Sequence, residues 1–250
     1  MKRFIRFITI EQWGKIEQEY SGDYEKPDLK GILCLLFSVL MLTVMRYYGR
    51  PRIFRLHFSK FVNNWLLPTI WPHLYWVTFA LFLYLVLPYL FIRFIFGEKI
   101  RQHGFSLAGI SRYKWIYLGL TLVVIPLVIG ASFFPSFIEK YPLYSGARDT
   151  AAGFAVWEIS YALYFIALEF FFRGFMLFTM VRYIGVYAIF VMVIPYVMIH
   201  FGKPFAETLG SIIAGMALGT LSLRTRSIFG GVIIHVLIAW TMDLLAVLMG

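Results

Sequence analysis

The sequence predicts an all-α fold, a polytopic membrane bundle of about seven spanning helices. Two observations lead there. Of the 250 residues, 60% are hydrophobic and only 14% are charged, far less charge than a soluble domain of this length carries. The apolar residues also fall in uncharged runs near the ~20 that cross a bilayer, where backbone groups are satisfied only inside helices or closed barrels.

Taken in order, residues 1–16 read either as an interfacial helix or as a partly ordered tail. Phe4, Phe7, Ile8 and Trp13 would lie on one side, with Lys2, Arg3 and Arg6 at the headgroups. The first thirty residues mix charges of both signs without an apolar core, so no cleavable signal peptide is visible. Spans are predicted at about 31–47, 74–92, 115–133, 153–180, 185–199, 206–223 and 228–249. The stretch "FVNNWLLPTIWP" leads into the second span along the interface, its two prolines opposing one continuous helix from Phe61.

The expected organisation is one integral membrane domain in three parts. These are an interfacial tail (1–30), scaffold helices (31–133) and a working core (150–250), with a soft boundary in the Pro- and Gly-containing segment 134–153. Spans before the boundary carry almost no ionisable groups, and spans after it carry several. Cys34 is the single cysteine, which excludes an intramolecular disulfide and a cysteine-based zinc site.

The net charge of +10 sits in short loops beside apolar runs, as in "RYYGRPRIFRLHFSK". That placement points to the lipid bilayer as partner and away from nucleic acid. Fourteen Lys and Arg fall on the side of the N-terminus and eight on the other, which predicts a cytoplasmic N-terminus. The expected location is a bacterial inner membrane.

"ALEFFFRGFML" places Glu169 and Arg173 four apart in the fourth span, in line with Tyr161 and Phe165 and close to the face of Glu158. Pairing lets both charges be tolerated. It does not explain them, because two apolar residues would be as stable. They mark either a functional site, the usual meaning of an intramembrane charge, or a structural tie to a neighbouring helix.

"VIPYVMIHFGKPFAETLG" ends the fifth span at His200, turns at Gly202 and restarts near Pro204. "GGVIIHVLIAWTMDLL" places His235 and, two turns on, Asp243 in the last span. Glu169, His200 and His235 together suit a polarised water, the carboxylate taking its proton while the imidazoles orient it or steady an oxyanion. The same three are chemically adequate for zinc. Yet no HExxH occurs, so no cofactor is expected and zinc is the alternative. Glu207 is either an extra acid or a first-turn glutamate on the helix dipole. Ser211, Gly215 and Gly219 follow a small-residue spacing that seats one helix closely against another.

These residues resemble the CAAX prenyl protease and bacteriocin-processing (CPBP, or Abi) family of glutamic intramembrane endopeptidases. That family carries EExxxR, then an aromatic residue four before a histidine, then a last histidine followed four later by asparagine. Here "LEFFFRG" supplies Glu169 and Arg173, "YVMIH" supplies Tyr196 and His200, and "HVLIA" supplies His235. Two positions depart. Leu168 replaces the first glutamate, commonly regarded as the base, and Ala239 replaces the asparagine, with Asp243 one turn further as a substitute. The resemblance implies metal-independent hydrolysis of a peptide or protein substrate near the membrane surface, with Glu169, His200, His235 and Arg173 in the catalytic group. Two other readings stay open: a non-catalytic relative acting as a binding or immunity-type scaffold, and a proton- or solute-coupled transporter.

Overall fold

One long helix forms the axis of the bundle in the computed structural model, which describes residues 29–107 and 109–249. It runs over Ala151–Ile184, and 83% of its most apolar window is buried, against 11–33% in the other five long apolar helices. In chain order the elements are α1 (Leu29–Tyr48), α2 (Pro51–His57), α3 (Trp71–Ile95), α4 (Ser111–Ser132) and the axial α5 (Ala151–Ile184). Then follow α6 (Tyr187–Met198), α7 (Phe205–Thr225) and α8 (Phe229–Met249). No strand occurs among the described residues. The all-α bundle is therefore as expected, and the protein is an integral membrane protein. The segment 1–16, expected as an interfacial helix or a partly ordered tail, lies outside the described residues.

Among the described residues six helices are long and apolar enough to cross a bilayer. The predicted fifth span is different. Its helix, α6, has 12 residues and rises only about 18 Å, too little to cross ~30 Å of hydrocarbon. Gly185 at φ +55° closes α5, its N–H bonding to the Val181 carbonyl, and consumes the front of the apolar run. At the far end Gly202, at φ +90°, turns the chain into α7. The segment after α6, with His200, therefore follows a partial crossing.

Local chemistry accounts for the other helix ends. The Thr150 hydroxyl accepts the Gly153 N–H at 3.0 Å and caps α5. Pro72 opens α3, where a missing N–H does no harm. Pro88, within α3, is flanked by π-helical turns at Phe82–Val86 and Phe91–Ile95, a wider winding that accommodates the ring without ending the helix. Gly215 and Gly219 let α7 close on α6: a Cβ at the first would lie 2.9 Å from Val193 and 3.1 Å from Tyr196, and at the second 3.1 Å from Met192.

A polar hub ties α1, the loop after α3 and the end of α5 together. Glu98 takes Lys30 at 3.0 Å, Arg182 at 2.7 Å and the His103 Nε2 at 2.8 Å. Burial raises the Glu98 carboxyl, but the hydrogen bonds from His103, Lys30 and Arg182 outweigh it and pull the group down to about 2. An unfolded glutamate titrates near ~4.3. The hub's stabilisation is therefore complete above that value and is lost as pH falls towards 2. Thermal melts followed by tryptophan fluorescence should show wild type losing more of its midpoint between about pH 5 and pH 3 than Glu98→Gln does. Equal losses in the two proteins would contradict the hub.

Candidate active site

Glu169 and Arg173 stand where α5 passes from ordinary α-helix into the π-helical stretch Phe170–Leu177. Both side chains are fully buried, and Arg173 Nη1 donates to Glu169 Oε1 at 2.6 Å. From α8, the His235 Nδ1–H donates to the same Oε1 at 2.6 Å. The other ring nitrogen, Nε2, shares a hydrogen bond with the Tyr196 hydroxyl of α6 at 2.9 Å. Tyr196 also presents its ring to the Arg173 guanidinium at 4.2 Å, a cation–π contact in a water-poor setting. Phe165, one turn before Glu169, stacks on the His235 imidazole at 5.2 Å.

Three helices thus converge on one carboxylate. Its second oxygen, Oε2, is buried and receives no hydrogen bond from the described residues. It lies against Gly231 of α8, where any Cβ would run into the Glu169 carboxylate. The neighbouring Gly230 likewise leaves room for the ring of Tyr117 from α4. Sequence reasoning passed over this pair of glycines, although two adjacent glycines inside an apolar span were a readable sign of close approach by other chain atoms.

His200 joins the group through Tyr196 and bonds neither Glu169 nor His235. Its Nδ1–H donates to the Tyr196 carbonyl at 2.8 Å, and its ring meets the Tyr196 ring edge-on at 4.8 Å. Burial pushes the His200 imidazole down to about 3, with the nearby charges of Lys203 and Arg173 acting in the same direction. At neutral pH it is uncharged, with Nε2 as a lone-pair acceptor.

Two expected supporting residues lie elsewhere. Asp243 is fully buried roughly 12 Å along α8 from His235 and accepts the Trp157 indole N–H at 2.6 Å, beside Glu158. Glu207 is held by Lys203 at 2.7 Å and by the Tyr141 hydroxyl at 2.6 Å, in the first turn of α7. Neither is bonded to the Glu169 group. Among the described residues no three His, Cys, Asp or Glu side chains come together in a way that could hold a metal ion.

Residues 149–241 match the family model described as type II CAAX prenyl endopeptidase, Rce1-like. Over this segment the chain is similar to the CAAX prenyl protease family. The match begins just before α5 and ends within α8, so it takes in Glu169, Arg173, Tyr196, His200 and His235 and leaves out Asp243. No curated protein and no solved structure matches the chain.

Proposed function

We propose that this protein is a CAAX-type, metal-independent endopeptidase that hydrolyses a peptide bond near the membrane surface with a water activated by Glu169. The observation that carries the reading is the 2.6 Å bond between Glu169 and His235, contributed by α5 and α8 and supported by Tyr196 from α6. Within that group Glu169 Oε2 is the carboxylate oxygen still able to take a proton.

In the proposed step Oε2 accepts a proton from water as its oxygen adds to the peptide carbonyl carbon. The carbonyl π electrons move to oxygen, the C–N bond then breaks, and the carboxyl returns its proton to the departing amine. His200, neutral and protonated at Nδ1, presents Nε2 as an acceptor to the same water. Donation to the oxyanion, the role implied by the family resemblance, would need the proton on the other nitrogen. Arg173 Nε and Nη2, buried without an acceptor among the described residues, are the donors suited to the oxyanion.

One observation favours a second reading, a non-catalytic binding scaffold. The position of the family's first glutamate is filled by Leu168, which is buried, and Glu169 Oε1 is already shared by Arg173 and His235. Proteoliposomes given a peptide library separate the two. The protease reading predicts cleavage by wild type that withstands a metal chelator and falls at least 10²-fold in Glu169→Gln and in His200→Ala. Cleavage unchanged in both variants, or abolished by the chelator, defeats it; peptide capture without cleavage is the scaffold's result.

A further inference from the structure

A cavity of about 620 Å³ opens at the end of the bundle where α3, α5 and α7 finish, lined by Gly97, Lys99, Arg101, Gln102, Phe178 and Arg226. We infer that it binds the phosphate of an anionic phospholipid, with Lys99, Arg101 and Arg226 as its cationic wall.

The contrast with the neighbouring hub is the first support. Lys30, Arg182 and His103 are all engaged by Glu98. Among the described residues Lys99, Arg101 and Arg226 have no carboxylate partner, so three cations of one sign line one concavity. An anion entering it meets all three.

The second support is the backbone. Arg226 stands at φ +52° in the short turn between α7 and α8, a left-handed conformation that glycine adopts at no steric cost. A turn shaped for glycine has an arginine, and its side chain lines the cavity. Such an outlier at a binding surface points to function.

The two basic loops are also fixed to each other. The Ile228 N–H donates to the Gly104 carbonyl at 2.9 Å, and Gly109, at φ +80°, sits directly against the Thr225 carbonyl. The backbones that carry the cations are therefore held in place, which lowers the ordering cost of binding. The source of the phosphate follows from place. The cavity lies just past the ends of α3 and α7, at headgroup level for these spans, and Phe94 and Ile95 at the end of α3 are exposed apolar side chains beside which acyl chains can lie.

Native mass spectrometry on the full chain in detergent, titrated with phosphatidylglycerol or phosphatidylcholine, tests the assignment. Wild type should retain phosphatidylglycerol preferentially, and millimolar inorganic phosphate should not displace it. Arg226→Gly suits the turn and should keep its melting midpoint in phosphatidylcholine while weakening phosphatidylglycerol binding about five-fold. The surface double variant Lys99→Gln/Arg101→Gln should weaken it further, and Arg112→Gln, outside the cavity, should leave it unchanged. Equal retention of the two lipids, an undiminished preference in both cavity variants, or ready displacement by inorganic phosphate would each overturn the inference.

Discussion

Arg173→Leu is expected to destabilise the bundle by about 3–5 kcal/mol, because it leaves the fully buried Glu169 carboxylate without its cation. Glu169→Leu should cost a similar amount, since the guanidinium would then be stranded. The double replacement Glu169→Leu/Arg173→Leu should recover most of that loss, because two apolar side chains of comparable volume satisfy the site as well as the ion pair does. Chemical denaturation of the three variants in the same detergent measures this directly. Activity should behave differently, staying absent in the double variant although stability returns. Recovery of stability without activity means that the charges are kept for chemistry. A double variant as unstable as the singles would instead support the structural tie.

The second large effect concerns Gly231. A methyl group there falls on the Glu169 carboxylate, and α8 cannot back away, because the Tyr117 ring already fills the space beside Gly230. Gly231→Ala should therefore cost about 1–3 kcal/mol as an overpacked core. It should also lower cleavage by about 10²-fold, the scale expected when a reacting group moves by an ångström. Gly210→Ala is the matched control. Nothing lies within 4 Å of a Cβ at Gly210, and alanine is the better helix former, so that variant should be neutral or slightly stabilised. Full activity in Gly231→Ala, measured on the same peptides, would mean that the carboxylate tolerates displacement and is not the base.

The parts of this arrangement that were legible in the sequence share one property: each breaks a pattern within its own segment. A glutamate and an arginine in an aromatic run, a histidine after YVMI and a histidine after GGVII stand out because desolvating them is costly. Runs of apolar residues disclosed the spanning helices for the same reason. What escaped depends on partners from distant segments. The apolar run at 185–199 reads as a span, yet Gly185 ends α5 and only Tyr187–Met198 is helical, and even the full run would rise only ~22 Å. Spacing places Asp243 one turn past the missing asparagine, but its neighbour is Trp157 on an antiparallel helix, a pairing no local spacing encodes. The π-helical winding from Phe170 leaves no residue signature, although it brings Gly174 within reach of the His103 backbone.

The most direct test of the central claim is a double-mutant cycle on peptide cleavage in proteoliposomes, combining Glu169→Gln with His235→Gln. If the two side chains activate one water as a unit, each single change should remove nearly all cleavage and the pair should be no worse than either alone. Independent, multiplicative losses, or substantial cleavage remaining in Glu169→Gln, would contradict it.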